Sequence, residues 1–163
     1  MSGFVGNYEH NLDSKNRVFI PAKLRDRLGE TFIIRVKPAK YPRIECFTEK
    51  AFDEKVEAEL SGIQDEIMRE KKLFVTHANA SEVTVDSQGR ICIPANILKY
   101  SGIKKESLFV GVRDCVQIWN PETYNAYFEQ VCAENIAEEE ALQAQEQKRL
   151  EFIAEGRFLE PKN

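Results

Sequence analysis

The passage Asp13 to Arg25, DSKNRVFIPAKLR, returns 73 positions later as Asp86 to Leu98, DSQGRICIPANIL, with Asp, Ser, Arg, Ile, Pro and Ala unchanged. The match reaches outward from Glu9 onto Glu82 and from Gly29 onto Gly102. A duplication of this kind constrains the fold more than any other feature of the chain, because one local structure has to serve both copies. A unit of roughly 45 residues with short strands is too small to bury a stable core alone. The two copies are therefore expected to pair with each other inside one chain, as a pseudo-dimer.

Within each copy the residue types set the local conformation. Val83 and Val85 alternate with Thr84 ahead of Asp86-Ser87-Gln88-Gly89, an extended segment running into a tight turn, and so a β-hairpin. Asp and Ser offer acceptors to nearby backbone donors, while Asn16 and Gly89 share a place in the turn and tolerate positive φ. Arg17-Val18-Phe19-Ile20 and Arg90-Ile91-Cys92-Ile93 follow. These apolar runs are too short for a helix and typical of strands covered on both faces. Pro21 and Pro94 then end the strand and suit the first position of a short helix. Leu24 and Leu28, or Ile97 and Leu98, face inward there, and Gly29 or Gly102 fits just past the end. Two more strands complete each unit: 32–36 and 44–47 in the first, 108–112 and 116–119 in the second. Phe47 and Trp119 are expected to anchor the core.

Each copy feeds a helix. After Thr48 as a cap, Phe52, Val56, Leu60, Ile63 and Ile67 form an apolar stripe that Gly62 interrupts, so two helical pieces are expected, reaching about Lys72. After the second copy Asn120 caps a helix that begins with Pro121 and places Glu122 favourably against its dipole. Tyr124, Tyr127, Phe128 and Val131 are its expected buried stripe. The segment 138–147 is rich in Ala, Glu and Gln, and Phe152, Ile153, Phe158 and Leu159 bring apolar residues back only near the end. That tail is expected to be either an exposed helix or an arm docking on a neighbouring subunit. The expected divisions are a first repeat over 7–52, a helical connector over 53–80, a second repeat over 83–126 and an acidic helical extension over 127–163.

Composition narrows the chemistry. With 42% hydrophobic residues the 163-residue chain can fill a core. No apolar run approaches the ~20 residues of a membrane helix, and no signal-peptide pattern opens the chain, so the cytoplasm is the expected compartment. Cys46, Cys92, Cys115 and Cys132 are widely spaced and accompanied by only two histidines, so they read as reduced, small hydrophobic residues rather than metal ligands. The net charge of -4 argues weakly against a nucleic-acid partner, but its distribution does not. Residues 1–45 carry nine Lys or Arg against five Asp or Glu, whereas 122–163 carry four against ten. A basic face at the front and an acidic element at the back are expected.

Pairing of the copies would bring the turn tips, Lys15 and Arg17 with Gln88 and Arg90, to related positions. Exposed cations on a tip suit phosphate contact, and an arginine can also bond a guanine edge in bidentate fashion. Equally, Arg17 and Arg90 could lock their turns through ion pairs to Asp13 and Asp86. The residue types leave both roles open.

With DSKNRVFIPAKLR and DSQGRICIPANIL joined to the closing IECF and VQIWNPETY, the chain resembles the MraZ family of bacterial transcriptional regulators over roughly residues 3–130. The resemblance implies an α+β, mainly β fold: two AbrB-like swapped-hairpin repeats forming a pseudo-dimeric β-barrel, with flanking helices and a helical C-terminal tail. It further implies a ring-like homo-oligomer and sequence-specific binding to short direct repeats in double-stranded DNA upstream of the division and cell-wall gene cluster, in a cytoplasmic, nucleoid-associated protein. By position, the DNA-reading loop falls on Lys15, Asn16 and Arg17, with Arg90 as its counterpart. Arg25, at the end of the repeated stretch, is a further candidate DNA contact. Asn16 stands where the family's first turn usually has Gly, and Gln88 gives the second tip less charge than the first. The first repeat is thus expected to dominate DNA contact, with the second completing the fold. No cofactor, metal, small-molecule substrate or membrane partner is implied.

Two other function classes compete. One is an antitoxin-like protein-interaction module whose acidic arm, 134–160, grips a protein partner. The other is an enzyme, but Glu45, Asp114 and Glu122 fall in no catalytic spacing, and His10 and His77 lack a partnered nucleophile.

Overall fold

A computed structural model describes residues 3–156. The chain divides after Tyr124 into two compact units. The first begins with β1 (Asn7–Asn11), β2 (Arg17–Phe19), α1 (Ala22–Leu28), β3 (Thr31–Lys37) and β4 (Arg43–Phe47). It continues through α2 (Glu49–Leu60) and α3 (Glu66–Ala78) into β5 (Ala80–Thr84), β6 (Arg90–Cys92), α4 (Ala95–Ser101), β7 (Glu106–Val112) and β8 (Cys115–Trp119). A last helix, α5 (Pro121–Ala154), starts in the first unit and makes up most of what is described of the second.

The strands exchange partners between the copies. A six-stranded antiparallel sheet runs β1-β7-β8-β4-β3-β5, and β2 pairs with β6 as a separate ribbon. β1 of the first copy therefore lies against β7 of the second, and β5 of the second against β3 of the first. The register is symmetric: Val18 faces Ile91 at the centre of the ribbon, and Glu45 faces Gln117 at the centre of the sheet. Two hydrogen bonds repeat the symmetry, Ile20 N–H to the Gly89 carbonyl and Ile93 N–H to the Asn16 carbonyl, both 2.9 Å. The expected hairpin is thus a turn without its own ladder, because each arm pairs with the other copy. Among the described residues no ladder closes the six strands into a barrel; β1 and β5 are the sheet's edges.

Alternation along the strands produces two apolar faces, as a period of two requires. Phe32, Ile34, Val36, Ile44, Cys46, Phe109, Val116 and Ile118 turn to one side and meet Val18, Ile20, Leu24, Leu28, Ile91, Ile93 and Ile97. Complete burial of a side chain such as Ile20 or Ile97 stabilises by about 1.5–3 kcal/mol. Phe47 and Cys115 turn to the other side and pack with Phe52, Val56 and Leu60 of α2. Phe47 and Trp119 are both buried, as the sequence led us to expect. The ribbon departs from expectation. Only one of its faces is covered: Val18 and Ile91 point inward, while Phe19 and Cys92 are exposed. It lies on the core as an outer layer, so alternate residues remain outside.

Caps and breaks account for the helices. Thr48 Oγ1 accepts from Ala51 N–H at 3.2 Å, and Asp65 Oδ1 from Met68 N–H at 2.9 Å. Asn120 Oδ1 accepts from Glu122 N–H at 2.9 Å, and α5 begins at Pro121 as expected. Pro21 and Pro94 stand one residue before their helices, in extended conformation. Their carbonyls accept the first helical bonds, from Leu24 and Arg25 and from Ile97 and Leu98. The connector stripe runs through Leu60 to half-buried Ile63, just past the end of α2, and then breaks. Ile67 begins α3 instead and is 65% exposed, and α3 continues past Lys72 to Ala78. In α5 the expected buried stripe is only partly realised: Tyr124 and Tyr127 are half-buried, with Tyr124 edge-on to Trp119, whereas Phe128 is 52% exposed and Val131 is also exposed. Helical spacing aligns those residues on one face, but a face is buried only where another element covers it. Phe158 and Leu159 lie outside the described residues.

A composite pair of turn tips

The two turns are built alike. In the first, Asp13 Oδ1 accepts from the N–H groups of Lys15 and Arg17, both at 2.9 Å, while Oδ2 accepts from Arg17 Nε at 2.7 Å. In the second, Asp86 Oδ1 accepts from the N–H groups of Gln88 and Arg90 at 2.9 Å, and Oδ2 from Arg90 Nε at 3.0 Å. An aspartate is suited to this because its short carboxylate can satisfy two backbone donors of a turn while also meeting a cation. The backbone N–H of Arg17 is the chief cause that holds the Asp13 carboxyl below its usual range, and that of Arg90 does the same for Asp86.

The two roles left open for Arg17 and Arg90 are thereby weighed by geometry. Both are ion-paired and partly buried, so their first task is to lock the turns. The tips also meet: Arg90 Nη1 lies 3.9 Å from Asp13 Oδ2. Lys15 is exposed at the apex and makes no ion pair among the described residues. Asn16 adopts the left-handed conformation, φ 59°, which Asn accepts more readily than most side chains.

Strand exchange makes each tip a joint product of both copies. In the ribbon Arg17 lies opposite Cys92, and Phe19 opposite Arg90. Cys92 Sγ accordingly sits 3.5 Å from the Lys15 carbonyl, at the first tip. Arg25 of the first copy stands at the second tip, its guanidinium carbon 5.2 Å from the centre of the Phe19 ring. Gly89, φ 82°, lies beneath both. A Cβ there would come within 2.5 Å of Arg25 Nη1 and 2.9 Å of Phe19 Cε2. Among the candidate residues Lys15, Asn16, Arg17 and Arg90 are thus gathered with their turns, and Arg25 is placed at the opposite copy's turn. Phe19 was missed in the sequence. The signal was present in the alignment of the copies, where Phe19 and Arg25 correspond to Cys92 and Leu98.

Of the residues considered for catalysis, Glu45, Asp114, His10 and His77 are engaged elsewhere. Arg35 Nε donates to Glu45 at 3.0 Å, and its Nη2 donates to Glu59 at 2.7 Å, with the Arg35 and Glu45 side chains each 5% exposed. The hydrogen bond from Arg35 holds the Glu59 carboxyl below its usual range. Asp114 pairs with its neighbour Arg113 at 3.8 Å. His10 packs between Phe19, at a tilt, and Phe109, edge-on, and His77 packs edge-on against Phe52. Cys46 and Cys115 are buried, and burial pushes the Cys115 thiol up to about 12. No helix among the described residues is long and apolar enough to cross a membrane.

Comparison with known proteins agrees with this arrangement. The family model described as "MraZ protein, putative antitoxin-like" matches residues 4–67 and 77–147, one segment for each copy. A protein of Acetivibrio thermocellus named transcriptional regulator MraZ is 37% identical over 145 residues, covering 85% of this chain and 97% of the relative. One of the same name from Mycoplasma mobile is 39% identical over 122 residues, covering 73% and 80%. A third, from Natranaerobius thermophilus, is 35% identical over 142 residues, covering 83% and 95%. The paired turn tips, the tandem match and these relatives lead to one conclusion: the chain belongs to the MraZ family.

Proposed function

We propose that the protein is a transcriptional regulator that binds double-stranded DNA sequence-specifically, at short direct repeats upstream of the division and cell-wall gene cluster, through the paired tips carrying Lys15, Asn16, Arg17, Arg25 and Arg90. One observation carries the proposal: two rigid, aspartate-locked turns stand side by side, joined by Arg90 and Asp13, with Lys15 free at the apex. A locked turn presents its cation from a backbone that is already ordered, which suits recognition of a fixed phosphate spacing. The swapped-hairpin, pseudo-dimeric reading of the repeats belongs to this proposal. So does a cytoplasmic, nucleoid-associated location. The relatives' names support regulation of transcription.

The test is a titration of the chain against duplex DNA from its own upstream region across a salt series. Affinity should fall with a slope of roughly 0.9 per phosphate contact, and Lys15→Ala should lower both the affinity and the slope. Lys15 is the better probe than Arg17, because Arg17→Ala would also unlock the turn. Equal affinity of the Lys15→Ala protein at every salt concentration would remove Lys15 from the interface, and no salt-dependent binding by the unaltered chain would end the proposal.

A ring-like homo-oligomer is part of the same reading, since linked tips multiply weak contacts. The exposed apolar row Ile67, Met68, Phe74 and Val75 on α3 supports it. A monomeric mass by light scattering would overturn this part. A second reading, an antitoxin-like interaction module, is favoured by the family description and by the acidic composition of α5. A stoichiometric protein partner that stays bound at high salt while DNA does not would decide for it.

A further inference from the structure

We infer that Arg25 reads a guanine edge at the second tip, held in place by Phe19; the inference rests on the DNA-binding reading above. The second tip carries Gln88 where the first has Lys15, so its own turn supplies only the ion-paired Arg90. Strand exchange provides the missing cation from the other copy. β2 sets Phe19 opposite Arg90, and α1, which follows β2, brings Arg25 onto the ring 5.2 Å away. Phe19 is itself backed by His10 at 5.3 Å, and His10 by buried Phe109 at 6.0 Å, so the stack is anchored in the core.

Two features separate Arg25 from a surface arginine. Among the described residues its side chain makes no ion pair or hydrogen bond, and its Nε is closed off from solvent without a partner. A cation held this way has its fork already oriented, with its outer nitrogens left for an outside acceptor. It also lies directly over Gly89, where an added Cβ would come within 2.5 Å of its Nη1, so a side chain there would push the guanidinium aside. Asn16, in the same place of the first turn, shows that a side chain is otherwise accommodated at this φ.

The chemistry of the surroundings selects a base over a phosphate. Arg25 lines an open cleft of about 420 Å³ together with Asp26, Glu30 and Asp86. None of these carboxylates is within 4.0 Å of the guanidinium, and while Asp86 is paired with Arg90, Asp26 and Glu30 add negative charge to the cleft that disfavours a phosphate. A neutral acceptor pair such as guanine O6 and N7 avoids that repulsion and fits the planar fork in bidentate fashion. The first tip has no such stack: its corresponding residues are Cys92 and Leu98, and Leu98 packs on the core.

The internal duplication supplies a conservative variant. Arg25→Leu copies the residue at Leu98, and the full chain is titrated against its upstream duplex, a scrambled duplex of equal composition, and the upstream duplex with 7-deazaguanine in place of guanine. Arg25→Leu should cut the preference for the upstream sequence by roughly 10- to 100-fold while leaving the salt slope unchanged. Deazaguanine should weaken the unaltered protein and add nothing to the variant's loss. Gly89→Asn, which copies the first turn, should reproduce the loss by displacing Arg25. Phe19→Leu should lower the preference and Phe19→Tyr should restore it, which marks Phe19 as a positioning residue.

Unchanged preference in Arg25→Leu, or a slope lower by about 0.9 with preference intact, overturns the inference; the latter would mean a phosphate contact. If Lys15→Ala weakens binding but Arg25→Leu does not alter preference, only this inference falls. If the unaltered chain shows no salt-dependent binding to any duplex, the DNA reading falls and takes this with it.

Discussion

Asp13 and Arg90 come from different copies of the repeat, yet Arg90 Nη1 lies 3.9 Å from Asp13 Oδ2. The contact has no counterpart among the described ion pairs linking Asp86 to Arg17. The pseudo-symmetric tips are thus coupled in one direction only, and the two aspartates carry unequal loads.

That inequality predicts an order of stabilities. Asp13→Ala removes the acceptor for two backbone N–H groups, the pair to Arg17 and the contact to Arg90, whereas Asp86→Ala leaves Asp13 in service. The melting temperature should fall further for Asp13→Ala than for Asp86→Ala. Asp13→Asn keeps an oxygen for the backbone donors and should lie between Asp13→Ala and the unaltered chain in the same thermal scan.

Acid should loosen the tips. Both carboxyls are held below their usual range, chiefly by backbone N–H bonds from Arg17 and Arg90. A group whose folded pKa is depressed contributes stability that is complete above its unfolded value, and that stability is lost as pH falls through the folded value. The window therefore opens below about pH 4. NMR titration should show the Lys15, Arg17, Gln88 and Arg90 amides shifting together in that range; amides that stay fixed to pH 2 would contradict it.

The buried pair under α2 should be costly to break from one side. Arg35 and Glu45 are both almost fully buried, and Arg35 also ties Glu59 of α2 to the sheet. Arg35→Met leaves Glu45 without its nearest buried cation and should cost about 3–5 kcal/mol in urea unfolding. Combining it with Glu45→Leu should recover much of that loss, because the stranded charge is gone.

Thiol reactivity should report the same layering. Cys92 is exposed at the first tip, while Cys46 and Cys115 are buried with thiols pushed upward by burial. Iodoacetamide at pH 8 should label Cys92 in the folded protein and reach Cys46 and Cys115 only on unfolding, as peptide mass mapping would show. Bound DNA should slow labelling of Cys92, which lies 3.5 Å from the Lys15 carbonyl. Equal rates with and without DNA would place the first tip outside the interface.

The sequence by itself determined the units and their local structure. Duplication, Asp-capped turns, the stop at Ile20-Pro21 and Ile93-Pro94, and the caps Thr48 and Asn120 are consequences of chain stereochemistry within a few residues, and these are legible wherever the residue types are distinctive. The inward set Leu24, Leu28 and Ile97 follows from helical periodicity. Tertiary structure decided everything that depends on which surface meets which. Periodicity could not show that Phe19 and Cys92 are outside, that Ile67 and Val131 are exposed, or that Glu45 is spoken for by Arg35. Nor could it show that Lys15 to Arg17 and Gln88 to Arg90 are each completed by the opposite copy. The physical reason is strand exchange. A turn's sequence fixes its own hydrogen bonds, but the neighbours of that turn are set by the partner of the next strand, 73 residues away in the alignment of the copies. That is how Arg25, written into the first repeat, comes to stand over Gly89 of the second.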